Sequence, residues 1–154
     1  MTANFVSSTV DSGGDDEGPH KGDVMENLKR FLAIAAVITV INGIGYTLAP
    51  GVLLPNYGIL PDAGAALGFR FLGAALLTFG LILWFVRQSH DWIAIRAVLI
   101  GAAVGNIVGI VVSLRATLTG VMNGSGWLFV VTYAVLLLGY AYSLYAGSRK
   151  FGAG

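Results

Sequence analysis

From residue 31 onward, apolar residues run in four long blocks separated by short polar breaks. Residues 31–49 and 127–147 carry no charge, 65–86 carry only Arg70, and 93–114 only Arg96. Each block is close to the ~20 residues that a helix needs to cross a ~30 Å hydrocarbon core. A helix satisfies its own backbone hydrogen bonds in lipid, which an isolated strand cannot do. No block alternates in the manner of a membrane barrel strand. All four prolines (Pro19, Pro50, Pro55, Pro61) fall outside the blocks, so the helix boundaries are well punctuated. Short connections such as Arg87-Gln88-Ser89-His90-Asp91 force antiparallel neighbours. The expected fold class is therefore all-α, an integral membrane, up-down-up-down four-helix bundle. The stretch 50–61, PGVLLPNYGILP, is apolar but too short to span. It is expected to lie at the membrane interface or to cap the bundle.

Composition supports the membrane reading. Hydrophobic residues make up 56% of the 154, and charged residues only 11%, against roughly 25% in a soluble domain. A soluble enzyme or nucleic-acid binder is thereby excluded. The charges are also unevenly placed. Residues 1–26 hold six acids and one base, and residues 27–154 hold eight bases and two acids. The chain divides into an acidic tail (1–26), a membrane domain (27–147) and a short basic tail (148–154). The acidic tail is rich in Ser, Gly and Asp, with Phe5 and Val6 as its apolar foothold. It is expected to be disordered unless a partner surface orders it. It lacks the apolar region of a secretory signal. Thr47-Leu48-Ala49 loosely resembles a signal-peptidase site, but Pro50 follows it directly.

Placing the N-terminus inside puts seven of the nine Lys and Arg residues on or near the inner face, leaving Arg70 and Arg115 outside. The positive-inside rule then makes both termini cytoplasmic. Trp84 and Trp92 flank the inner loop and Trp127 opens the fourth block on the other side, as an interfacial aromatic belt would.

Small and polar residues within the blocks suggest where helices meet. Gly101, Gly105, Gly109 and Ser113 are spaced four apart, a double GxxxG pattern for close packing. The partner helix is either in this chain or in another. Gly73 and Gly80 follow 3–4 spacing with Ala66, Arg70 and Leu77, which points Arg70 toward other helices. Arg70 then either snorkels to lipid phosphates or holds a buried network or an anionic ligand. Asn42 and Tyr46 share a face with Thr39, Asn106 lies in the third block, Arg115 ends it, and Asp62 precedes the second. These groups either converge on a polar pocket open to the outer leaflet, or Asn42 and Asn106 simply bond between helices.

Chemistry is narrowly bounded. With no cysteine, disulfides, thiolate catalysis and Cys-based metal sites are absent. No carboxylate falls inside a block, which removes paired-carboxylate catalysis and the usual proton relay of a pump. His90-Asp91 is either a solvated loop pair or a binder of a metal or of a chlorin or haem edge. No metal site, catalytic residue or nucleic-acid partner is expected.

Several local motifs together resemble the small four-helix bacterial membrane proteins called DoxX-like. They are Lys29-Arg30 before the first block, Asn42-Gly43-Ile44-Gly45-Tyr46, Leu48–Gly51 (LAPG), Arg70-Phe71-Leu72-Gly73 and Gly105-Asn106. The resemblance covers residues 26–146 and implies a multi-pass protein of the bacterial inner membrane. Some relatives look like membrane subunits of quinone-linked oxidoreductases, though the cysteines sometimes associated with redox members are missing here. The leading expectation is a non-catalytic accessory subunit of a larger membrane complex, respiratory or photosynthetic, held by other subunits or by self-association. The alternative is a lipid-, quinone- or pigment-binding protein with a pocket near Arg70. A small transporter or quinone-linked enzyme subunit is least favoured.

Overall fold

A computed structural model describes residues 21–151, and all of the regular structure in that range is helical. The order is α1 (Lys21–Leu48), α2 (Pro50–Asn56), α3 (Ala63–Val86), α4 (Trp92–Leu118) and α5 (Gly126–Phe151). Helices α1, α3, α4 and α5 are each long and apolar enough to cross a membrane. The chain is a multi-pass membrane protein, and α1, α3, α4 and α5 run up-down-up-down. Large apolar side chains face outward on every helix, among them Leu48 of α1, Ile93 of α4 and Leu138 of α5. Such a surface is stable in lipid and not in water.

The expectations for residues 1–20 lie outside the described residues. Residues 21–26, which the charge pattern assigns to the tail, instead form the first turns of α1. Charged residues do not end a helix once it has left the hydrocarbon. Glu26 pairs with Arg30 one turn on, an arrangement that supports helix locally. The interface stretch after α1 also differs from a plain loop, since its first half is the short helix α2. Pro50 starts it, where a missing N–H costs nothing. Gly58, at φ +77°, ends it. Gly58 N–H donates to Pro55 O at 3.0 Å and Ile59 N–H to Leu54 O at 3.1 Å, the two bonds of a Schellman stop. Leu54, fully buried, pins α2 to the bundle. At the heads of α3 and α4, Asp62 and Asp91 accept from Ala65 N–H (2.7 Å) and Ile93 N–H (2.9 Å), satisfying donors that a helix start leaves free.

The bundle consists of two tight pairs, α1 with α3 and α4 with α5. Contact between the pairs is narrower, through α1 with α5 and α3 with α4. Inward residues recur at alternating spacings of three and four. On α5 they are Gly126, Phe129, Tyr133, Leu136, Tyr140, Ser143 and Gly147, and on α4 Ile95, Leu99, Ala102, Asn106, Gly109 and Ser113. This repeat is that of left-handed helix packing at shallow angles. The core lies toward the end carrying the Arg87–Asp91 turn, where Leu32, Leu83, Leu99 and Tyr140 meet.

The two pairs close by different means. Between α1 and α3, backbone meets backbone. A Cβ on Gly43 would stand 2.9 Å from Gly73 O, and one on Gly80 would stand 2.6 Å from Val40 Cγ2. Gly73 and Gly80 thus lie at the α1–α3 contact, and Gly43 is their counterpart. Between α4 and α5, aromatic rings enter glycine notches: Tyr133 against Gly109 and Trp92 against Gly147. Ser113 is buried on the same face of α4.

The four-residue glycine series on α4 is only half inside. A Cβ on Gly101 or Gly105 would meet nothing within 4 Å in this chain. Residues four apart advance ~40° around a helix of 3.6 residues per turn, so a series that is inward at Ser113 has turned toward lipid by Gly101. The same geometry corrects Arg70. The inward face of α3 is Phe69, Gly73, Leu76, Gly80 and Leu83, and Arg70 lies about 100° from Phe69 and is exposed.

We expect Gly43→Val to destabilise the protein by about 1–3 kcal/mol through overpacking, measured by thermal unfolding in detergent. Gly105→Ala should change stability by less than about 0.5 kcal/mol. Equal melting of Gly43→Val and wild type would contradict the backbone-to-backbone contact of α1 and α3.

Candidate functional site

The seam between α1 and α5 is not filled along its length. Toward the α2 end it opens into a cleft of about 280 Å³. Thr39, Asn42 and Tyr46 come from α1, Tyr57 from the end of α2, Leu76 from α3, and Phe129, Thr132 and Tyr133 from α5. Ile38, Leu128 and Leu136 complete the apolar wall. Ile38 and Asn42 on one side and Leu128 and Thr132 on the other are exposed. These residues form a mouth that opens sideways, between helices, toward lipid.

Local structure explains why these groups converge. Tyr57 closes α2 directly before the Schellman stop at Gly58. There its ring packs edge-on to Phe129 at 4.8 Å and stacks on Phe69 at 6.2 Å. Tyr46 completes the cluster, 5.3 Å from Phe69, and its hydroxyl lies 3.5 Å from that of Tyr57. Edge-on and offset ring pairs are the favoured geometries.

Asn123 Nδ2 and Ser125 Oγ, in the α4–α5 loop, both donate to Asn56 O, at 3.1 and 3.0 Å. Asn123 N–H donates to Tyr57 O at 2.9 Å. This clasp ties the two helix pairs together across the mouth of the bundle.

The structure gathers some of the sequence-derived site residues and separates others. Asn42 and Tyr46 line the cleft. Arg70 and Arg115 are exposed and are not among its lining residues. Asn106 is buried on α4, also outside the lining. Asp62 caps α3 and does not join the site. The two asparagines do not bond between helices either. Asn42 Nδ2 donates to Ile38 O at 2.8 Å and Asn106 Nδ2 to Ala102 O at 2.7 Å, each within its own helix. A carbonyl four residues back is always within reach, and a neighbouring helix is not. Tyr57, Thr132 and Tyr133 also line the cleft, beyond the residues expected from the sequence. Their signal was modest: Thr132-Tyr133 is the one polar pair between Trp127 and Gly139.

At the other end, Arg87 lies 3.5 Å over the ring of Trp84, and Arg149 lies 4.7 Å from that of Tyr145. These cation–π pairs suit the headgroup region. Asp91 is engaged at the start of α4, and His90 beside it is exposed.

Comparison with protein-family models, with curated proteins and with solved structures finds no match for this chain.

One buried group stands out. Asn106 is 7% exposed, and its Oδ1 has no hydrogen-bond partner among the described residues. An unsatisfied buried acceptor is destabilising, and removing it with a shape-matched apolar side chain recovers that loss. Asn106→Leu should therefore raise stability in detergent by about 1 kcal/mol. A lower melting temperature would instead show that Oδ1 is bonded in solution, and the idea of an orphaned acceptor would fail.

Proposed function

We propose that this chain is a non-catalytic membrane protein that holds an amphipathic small molecule, of the lipid, quinone or pigment class, in the α1–α5 cleft. The observation that carries this reading is the cleft itself. It is a recess with hydroxyl and amide groups on mostly apolar walls, opening between exposed side chains of α1 and α5. Ligand sites are commonly apolar recesses with a few convergent polar groups, and helix bundles place them between helices. The position differs from a pocket centred on Arg70, and Asn42 and Tyr46 remain part of it.

A second reading, an accessory subunit or self-associating protein, is favoured by one observation. Gly101 and Gly105 leave a bare strip on the outward face of α4, the kind of surface on which a further helix packs closely in lipid. The likeness to DoxX-like proteins is compatible with either reading.

Purification of the native protein in mild detergent separates the two. Under the ligand reading, mass spectrometry should find a retained small molecule that is lost from Thr132→Trp, in which the cleft is filled. Under the subunit reading, a co-purifying protein or second copy should be lost from Gly105→Leu and kept in Thr132→Trp. Unchanged small-molecule content in Thr132→Trp would sink the ligand reading.

We also propose that the end bearing the Arg87–Asp91 turn faces the cytoplasm of a bacterial inner membrane. The support is the charge distribution: Lys29, Arg30, Arg87, Arg96 and Arg149 cluster toward that end. Because the chain has no cysteine, single replacements give a clean topology test. In intact cells, a membrane-impermeant thiol reagent should label Asn123→Cys and spare Ser89→Cys. The reverse pattern would invert the orientation.

A further inference from the structure

The charge and hydrogen-bonding character of the cleft narrows what it can hold. None of its lining residues is ionisable at neutral pH in the acidic or basic sense: the set contains no Asp, Glu, Lys, Arg or His. The charged side chains nearest this end of the bundle are otherwise placed. Asp62 is engaged by Ala65 N–H, and Arg70 and Arg115 are exposed outside the lining. A charged headgroup entering the cleft would leave water and phosphate neighbours without gaining a counter-charge. Burial of an uncompensated ion is strongly unfavourable.

Neutral hydrogen-bonding groups, by contrast, are present in both senses. Thr39 Oγ1 donates to Ala35 O at 2.7 Å, so towards the cleft it can only accept. Asn42 has one amide proton on Ile38 O, which leaves its Oδ1 as an acceptor. Tyr46 and Tyr57 share one hydrogen bond between two hydroxyls, which leaves one O–H to donate. Among the described residues, the hydroxyls of Thr132 and Tyr133 have no hydrogen-bond partner, and both can donate or accept. Around these groups stand the aromatic rings of Tyr46, Tyr57 and Phe129, and the mouth opens between Ile38 and Leu128 toward lipid.

We infer that the cleft takes an uncharged amphiphile from the bilayer, with a head that carries hydroxyl or carbonyl oxygens and a tail that leaves sideways past Ile38 and Leu128. This rests on the reading of the cleft as a ligand site and adds the class of ligand. It excludes phospholipids as the resident molecule. Those would gather at the exposed Arg70 and Arg115 instead, outside the cleft.

A matched pair of probes tests the inference. Diacylglycerol and phosphatidic acid share the same chains and differ by a hydroxyl against an anionic phosphate. Each is prepared with the same photoreactive chain and added in trace amount to phosphatidylcholine vesicles containing the full chain. Labelled peptides are then mapped. Diacylglycerol should label the cleft segments of α1 and α5 roughly tenfold more than phosphatidic acid does. Combining Thr132→Val with Tyr133→Phe should cut that labelling roughly tenfold, the loss expected for two hydroxyl contacts. Both replacements preserve shape, and an unchanged melting temperature excludes misfolding as the cause. Arg70→Gln with Arg115→Gln should leave diacylglycerol labelling of the cleft unchanged.

Equal or stronger labelling of the cleft by phosphatidic acid, falling in the arginine double variant, would overturn the inference while leaving the cleft a ligand site. Labelling of the cleft by neither probe above the level of the lipid-facing Val111-Val112 surface would overturn both.

Discussion

With lipid on every side, four apolar helices gain little from touching one another through leucine and valine. What holds such a bundle is how closely backbones and rings can approach. Here the decisive approach is Gly43 against Gly73, where the carbonyl of one helix lies where a side chain of the other would begin. That contact commits one face of α1 to α3. It leaves the adjoining edge of α1, with Thr39, Asn42 and Tyr46, to face α5. On α5 the opposing residues are Phe129, Thr132 and Tyr133, which cannot close to the same distance. Near Gly139 the notch admits Phe31, and the recess left beside it is the smaller one, about 160 Å³. Toward α2 there is no such notch, and the seam opens wider, to about 280 Å³. The cleft follows from one pair of helices packing by backbone and the other packing by rings.

Polar groups within the spans take little part in joining helices. Thr39, Asn42, Thr47, Asn106 and Thr117 all donate to carbonyls four residues back on their own helix. Each helix is thus nearly self-sufficient in hydrogen bonds, and pairing is left to shape. Hydrogen bonds that cross between elements include that of Tyr46 with Tyr57 in the cleft and those of Asn123 and Ser125 with Asn56 at the membrane surface. There, polar groups have water as the competitor, and a fixed geometry can be selected without a heavy burial cost.

Much of the architecture was legible in the sequence because a spanning helix needs only length and apolarity. The four spans, their antiparallel order and the capping place of residues 50–61 all follow from that. The inward faces were harder to read for a physical reason. In a soluble bundle the polar side marks the outside, but here lipid-facing residues such as Val104 and Val111 are as apolar as core residues such as Leu99. Only glycine and aromatic positions distinguish the faces, and they do so at alternating spacings of three and four. A strict spacing of four on α4 drifted off the true face at Gly101 and Gly105. Likewise, Arg70 shared a spacing with Gly73 without sharing its direction. Asn42 and Tyr46, which line the cleft, were readable as polar groups within a span, where such groups are rare. Tyr57 was not, since its place depends on the turn at Gly58 and on a loop far along the chain.

The pairing of α1 with α3 and of α4 with α5 also bears on how the protein is made. Each tight pair is a hairpin of consecutive sequence, the first complete by Val86 and the second beginning at Trp92. The backbone contact at Gly43 can therefore form as soon as α3 has been synthesised and inserted, with nothing required from the second half. The ring-and-notch contacts of α4 and α5 need nothing from the first. The closest packing is local in sequence, which shortens the search that assembly requires. The long-range step is the docking of two hairpins, and polar bonds to Asn56 join them on the membrane surface.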